Sequence, residues 1–241
     1  MRNPVTPSAE TERISRVYQE YRASAAVQAR WDLRNLGNQA ILRERQLAIR
    51  RLLDKAGLIS LTGKHVLEIG CGSGGVLATF RALCGTSANL LGVDLLPDRI
   101  VEAAQNHTAI DFLAANGQEL PIADASIDLV LFFTVFSSIL DQHMAREVAA
   151  EAIRVLKPGG AVLWYDFRYD NPRNPHVRGM SRRSLRSLFL GFGCTLRTVT
   201  LLPPLARRLG SATPLLYPAL VRLPLLRTHY LALLRKPTGN V

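Results

Sequence analysis

Cysteine is scarce in this 241-residue chain: Cys71, Cys84 and Cys194 are the only three. They match no zinc-ligand spacing, and an odd number cannot all pair within one chain. Both facts argue against a disulfide scaffold or a cysteine-built metal centre, and reduced thiols fit a cytosolic protein. Long apolar runs are missing as well. The longest uncharged candidate, Leu209–Val221, is too short to cross a bilayer and contains Pro214 and Pro218. The first residues, MRNPVTPSAETER, hold no apolar core of signal-peptide type. Acids run out early: after Arg168 only Asp170 remains. No carboxylate cluster marks a divalent metal, so none is expected.

What is present is basic and apolar. The formal charge is +11, and 48% of the residues are hydrophobic. That composition suits one large domain with a full core rather than a disordered chain. No internal repeat is visible. The basic tail suits an anionic membrane, a nucleic acid, a phosphorylated substrate or a solvated face. The absence of an aromatic-basic RNA-binding signature disfavours nucleic acid.

Periodicity then gives elements. Ser8 or Thr11 caps a first helix with Ile14, Val17, Tyr18 and Tyr21 on one stripe. A second helix is predicted from about Asn38 to Ala56, stopped by Gly57. Strands are predicted at His65–Ile69, Leu90–Val93, Ile110–Ala114, Ile127–Phe133, Ala161–Phe167, Thr195–Leu201 and Thr228–Arg235. Helices fall between them at Val76–Leu83, Pro97–Asn106, Gln142–Leu156 and from Ser181 or Ser184 toward Phe189. Pro97 fits a first helical turn and Asp141 an N-cap, and Lys157-Pro158-Gly159-Gly160 stops the helix before it. Leu202–Arg227, rich in proline and arginine, matches neither period. Alternating strands and helices imply an open parallel sheet covered on both faces, with an antiparallel edge where two late strands follow each other.

The stretch VLEIGCGSGG, Val66–Gly75, places an acid inside an apolar run and then four glycines in six residues. A buried carboxylate needs a partner, and clustered glycines serve a sharp turn or a close approach. Gly70, Gly72 and Gly75 also satisfy G-x-G-x-x-G, a weak signal by itself. Asp94 ends the next strand at the spacing where an acid grips ribose hydroxyls. Glu68, Asp94, Asn116 and Phe133 all fall at the carboxyl edge of the expected sheet, where such sheets bind ligands.

Together VLEIGCGSGG, GVDLLPDRI, ANGQELPIADASIDLVLFF and RVLKPGGAVLW, in this order and spacing, resemble the class I S-adenosylmethionine-dependent methyltransferases. The likeness covers about Lys64–Phe167. It implies a Rossmann-like three-layer sandwich: a seven-stranded, mostly parallel sheet with an antiparallel edge strand. It also implies S-adenosyl-L-methionine as cofactor. By resemblance Gly70, Gly72 and Gly74 pass close to that cofactor, Glu68 orients its amino-acid end and Asp94 holds its ribose. Asn116 occupies the place of an adenine-facing aspartate, with the Gly117 amide beside it. Cys71, Leu95 and Phe133 complete the expected contact set. Cys71 reads as a small packed side chain rather than a nucleophile. Two departures stand out. Asn116 is an amide that both donates and accepts, where an ionised aspartate only accepts. Ser137-Ser138 stands where relatives often carry histidines, which removes one candidate base.

Methyl transfer from a sulfonium is a direct displacement, so alignment and water exclusion matter more than a universal catalytic residue. A hydroxyl acceptor gains from a general base. The loop Trp164–Gly179 is expected over the acceptor pocket, and within it Asp166 and His176 are the candidate bases. The chain reads as a single domain, 1–241. Residues 1–57 form N-terminal helices that act as a lid, motivated by Tyr18, Tyr21 and Trp31. Residues 64–167 form the cofactor core. Residues 168–241 supply the acceptor-side loop, the late strands and the Pro/Arg-rich insertion. The expected activity is methyl transfer to a small-molecule, glycan or lipid-linked acceptor, on a hydroxyl, by a cytoplasmic protein with peripheral contact at the inner membrane as an option. The alternatives are a nucleic-acid methyltransferase, a non-catalytic S-adenosylmethionine-binding protein and a nicotinamide oxidoreductase.

Overall fold

The computed structural model describes residues 8–84 and 88–239, without the Cys84 side chain. The reading of Cys84 and that of the first seven residues therefore lie outside the described residues. Cys71 and Cys194 are free thiols.

Seven strands form one sheet: β1 (His65–Ile69), β2 (Asn89–Asp94), β3 (Asp111–Ala114), β4 (Ile127–Phe133), β5 (Leu156–Phe167), β6 (Gly193–Leu201) and β7 (Arg227–Arg235). Their order is β3-β2-β1-β4-β5-β7-β6. The chain runs outward from β1 to β3, then returns to place β4 on the other side of β1. That reversal opens a crevice at the carboxyl ends of β1 and β4. The first five strands pair in parallel, while β7 runs antiparallel to both β5 and β6. The antiparallel strand thus sits one place inside the edge, and β6 is outermost.

Pleating sends alternate side chains to opposite layers. Leu67, Val130, Phe132, Val162 and Trp164 face α6 (Gln142–Val155) and α7 (Arg182–Leu188). Val66, Leu129, Leu131, Leu163 and Leu231 face α3 (Leu36–Lys55) and α4 (Gly75–Cys84). Each fully buried aliphatic or phenyl group contributes about 1.5–3 kcal/mol, so both faces hold the sheet. The parity matters for the site: Glu68 follows Val66 onto the α3–α4 face.

Helix starts follow local chemistry. Ser8 accepts from Thr11 N at the start of α1 (Ala9–Ala23), and Asp141 accepts from His143 N and Met144 N before α6. Pro97 opens α5 (Pro97–Asn106). Gly57 ends α3's chain direction at φ +69, open to glycine. Lys157–Gly160 carries a register shift, and regular pairing of β5 with β4 resumes at Ala161 opposite Leu129.

Leu202–Arg227 is ordered helical structure. It forms α8 (Pro203–Arg208), a 3-10 turn at Gly210–Ala212, α9 (Thr213–Leu220) and a 3-10 turn at Pro224–Leu226. Ile41 of α3, Leu201, Ala206 and Tyr217 make a third small core under it. A short helix α2 (Ala25–Ala29) links α1 to the turn before α3.

Candidate active site

The crevice opens into a cavity of about 700 Å3. Its floor is the loop after β1. Gly70, Gly72 and Gly74 take φ of +76, +53 and +81, values that side-chain-bearing residues rarely adopt. Gly70 N and Cys71 N donate to Val93 O at 2.7 and 3.0 Å, which ties the loop to β2. Asp94 then braces it from the side. One carboxylate oxygen accepts from Gly72 N at 2.8 Å and the other from Leu96 N at 3.0 Å. Lone pairs remain on both oxygens at the cavity wall.

Glu68 is 1% exposed, and its Oε2 has no hydrogen-bond partner among the described residues. Burial holds its carboxyl well above the ordinary range, and the Asp94 charge adds to this. The Arg45 guanidinium pulls the other way. A buried, unpaired carboxylate oxygen at a cavity is costly for the fold alone and suited to a cationic donor.

Arg45 comes from α3. Its guanidinium lies 5.6 Å from the Phe133 ring centre and 5.4 Å from that of Tyr165. It makes no hydrogen bond or ion pair among the described residues, so its donors stay free. Leu42 and Gln46 of the same helix line the cavity with it. Asn116 uses its amide oxygen on Gln118 N at 3.0 Å. This fixes the loop that presents Gly117. Thr134, at the end of β4, holds φ +57, and its N–H donates to Tyr165 O at 2.8 Å. A strained non-glycine backbone persists where surrounding contacts demand it, commonly beside a binding site.

The roof is α1 and the turn before α3. Ile14, Tyr18 and Leu33 line the cavity. Tyr18 Oη shares a hydrogen bond with Ser138 Oγ at 2.8 Å, and the Arg99 guanidinium lies 5.2 Å from its ring. Burial raises the Tyr18 phenol, which keeps it neutral. Glu10 accepts from Leu140 N at 2.6 Å, and Arg13 donates to Ser138 O at 2.6 Å. Arg22 pairs with Asp98. Four contacts therefore pin α1 across the opening.

Of the residues expected at a cofactor, Glu68, Gly70, Cys71, Gly72, Asp94, Leu95, Asn116, Gly117 and Phe133 line this cavity. Gly74 does not. It faces away, where an added Cβ would stand 2.7 Å from the Phe112 ring, so its role is backbone conformation and packing. Burial pushes the Cys71 thiol far up, consistent with a packed side chain.

The two candidate bases are not at the cavity. Asp166 is fully buried and accepts from Ser137 N at 3.0 Å and Phe167 N at 2.8 Å. Burial pushes it up to about 6, against those hydrogen bonds. It ties β5 to the loop after β4. His176 sits in a loop that folds onto α1: its N–H donates to Asn174 Oδ1, which also accepts from Tyr21 Oη at 2.9 Å. No residue of 168–179 lines the cavity, so the loop buttresses the roof instead of overhanging the pocket. Arg45, Gln46 and Arg99 were not singled out from sequence, and Ser138 was noted only as a departure from the family pattern. The available signal was that Arg45 and Gln46 lie three and four residues after Leu42, on its side of the helix.

A family model described as a methyltransferase domain matches residues 66–160. A phthiotriol/phenolphthiotriol dimycocerosates methyltransferase of Mycobacterium ulcerans is 36% identical over 115 residues, 47% of this chain and 41% of the relative. A fatty-acid O-methyltransferase of Mycolicibacterium smegmatis is 37% identical over 121 residues, 48% of this chain and 43% of the relative. The chain thus spans less than half the length of these curated relatives. Among solved structures, a putative sarcosine dimethylglycine methyltransferase from Galdieria sulphuraria shares the fold. Its TM-score is 0.61 at 18% identity, covering 82% of this chain and 86% of that one.

Proposed function

We propose that the chain, whose residues 66–160 match a methyltransferase-domain model, is a class I S-adenosylmethionine-dependent enzyme that methylates an oxygen of an apolar acceptor, a lipid or lipid-like small molecule. The observation that carries the reading is the pairing of unspent charges in one cavity: the partnerless Glu68 Oε2 and the free guanidinium of Arg45.

These charges suit a zwitterion. Glu68 would accept from the cofactor's ammonium, and Arg45 would hold its carboxylate. Asp94, already oriented by Gly72 N and Leu96 N, would take the ribose hydroxyls. Asn116 and Gly117 would face the adenine. Bound there, S-adenosylmethionine supplies a methyl group on a sulfonium, a carbon already activated for displacement. The chain's own task is to align the acceptor and to exclude water. Ile14, Leu33, Leu42 and Val135 give the remaining wall an apolar surface for this.

The carboxylates lining the cavity are Glu68 and Asp94, and no described lining residue is a histidine. Both acids are assigned to the cofactor, so no general base remains beside the acceptor. That favours an acceptor oxygen needing none, a carboxylate or an acidic hydroxyl, over an ordinary sugar hydroxyl. The relatives, which include a fatty-acid O-methyltransferase, lean the same way. Such an acceptor resides at a bilayer, so the reading includes peripheral membrane contact.

Calorimetry with S-adenosylhomocysteine against NADH, followed by methyl transfer to a panel of fatty acids, phenolic lipids and sugars, tests the proposal. Tight S-adenosylhomocysteine binding and turnover on the apolar acids or phenols is expected. Preference for NADH overturns it, turnover confined to sugars overturns the acceptor class, and binding without any turnover favours a non-catalytic role.

A further inference from the structure

Folding leaves the leucines of the 202–227 segment divided into two sets. Leu205, Leu209, Leu220 and Leu226 turn inward onto the small core around Ile41 and Tyr217. Leu202, Leu215, Leu216, Leu223 and Leu225 turn outward, with Leu225 88% and Leu215 78% exposed. The outward set does nothing for the core. A second exposed apolar group lies at the entry to α3: Trp31 and Leu33 in the preceding turn and Leu36 at the helix start. The two groups are joined through α8. The Arg207 guanidinium lies 5.6 Å from the Trp31 ring, and Asn35 donates to Arg207 O at 3.2 Å. Leu33 is at once part of this exposed group and part of the cavity wall. The Trp31–Leu36 group therefore begins at the mouth of the cavity.

Its charge is of one sign. Residues 202–227 contain Arg207, Arg208, Arg222 and Arg227 and no acid, and no acid follows Asp170. In the turn, Asp32 is spent on Arg34. Two copies of such a face repel each other, whereas an anionic bilayer meets both its leucines and its arginines. An exposed tryptophan is suited to the headgroup level. No helix is long and apolar enough to cross a membrane among the described residues, so contact would be at the surface.

We propose that α8, α9, the turn at Pro224–Leu226 and the Trp31–Leu36 turn form one docking surface for an anionic lipid bilayer. It seats the cavity mouth on the membrane, so that an apolar acceptor enters past Leu33 without crossing water. The inference rests on the lipid-acceptor reading for its purpose, but its physical content is separate.

The test floats the full chain with vesicles of phosphatidylcholine, alone or mixed with phosphatidylglycerol, at low salt. Wild type is expected to float with the mixed vesicles and not with phosphatidylcholine alone. The double variant Leu215→Glu, Leu225→Glu changes residues outside the cavity. It is expected to lose tenfold or more of that binding and to keep its S-adenosylhomocysteine affinity by calorimetry, which reports that it is folded. The proposal is overturned if wild type does not float, or if the folded variant floats equally well. It is also overturned if wild type is a dimer in solution that the variant converts to monomer, because the occupant is then a second copy. Flotation by a protein with no S-adenosylhomocysteine affinity would sink the functional reading and leave this surface standing.

Discussion

Glutamine at position 68 separates the cost of the site from its use. Glu68→Gln keeps the volume and removes the charge of a carboxylate whose Oε2 meets no donor among the described residues. A hydrogen bond to a charged group is worth about 1.5–3 kcal/mol. Losing it to the ligand's ammonium should weaken S-adenosylhomocysteine binding on the order of tenfold to a hundredfold. Stability should move the other way. Burial raises the Glu68 carboxyl well above its ordinary range. A raised carboxyl lets the fold keep its proton longer than the unfolded chain does. Stability is then full below the unfolded value and falls as pH rises through the folded one. The variant, free of this loss, should gain on wild type as pH climbs. Affinity should show the opposite trend, because the ligand's ammonium selects the ionised carboxylate. Wild-type affinity should rise by up to about tenfold per pH unit below the raised value, and the variant's should stay flat. Calorimetry across neutral pH and denaturation of the ligand-free proteins measure both. Equal affinity with parallel pH profiles would refute the assignment of Glu68 to a cation.

Arg45→Ala should weaken S-adenosylhomocysteine on the order of tenfold while leaving 5′-methylthioadenosine, which has no carboxylate, unchanged; equal losses by calorimetry would place Arg45 elsewhere in the site. Asp166, raised to about 6 from 3.8 by burial, should cost the fold about 2 kcal/mol as pH goes from about 4.5 to about 7.5. Urea denaturation of wild type against Asp166→Asn should therefore show wild type gaining by that amount on acidification, and a constant gap contradicts it. Gly37→Ala puts a Cβ 2.1 Å from Ala206 O and should destabilise the protein by about 1–3 kcal/mol through the α3–α8 contact; an unchanged melting midpoint would show that the two helices separate freely.

Much of the fold is written locally. His65–Ile69, Pro97–Asn106 and Ile127–Phe133 begin and end where apolar runs, a first-turn proline and strand-end acids predict. Short structure is harder. The α8 helix holds six residues, less than two turns, so an apolar period of 3.6 never repeats there. Prolines that open helices at Pro203 and Pro214 look, in sequence, like breaks. Asp166 and His176 show the same limit at the site. Both follow the body of β5, yet the Asp166 carboxylate is consumed by two backbone amides, and His176 lies in a loop that leans on α1 and lines no part of the cavity.

From the chain alone came the glycine loop, the acids at the ends of β1 and β2, and the order of strands and helices, because turns and strand periodicity depend on neighbours a few residues apart. Only tertiary packing decided that Arg45 meets that cavity, which contacts hold α1 over it, and that one set of leucines stays outside. Those outcomes join residues many tens of positions apart, and which face of a helix is covered is set by what docks on it rather than by its own sequence.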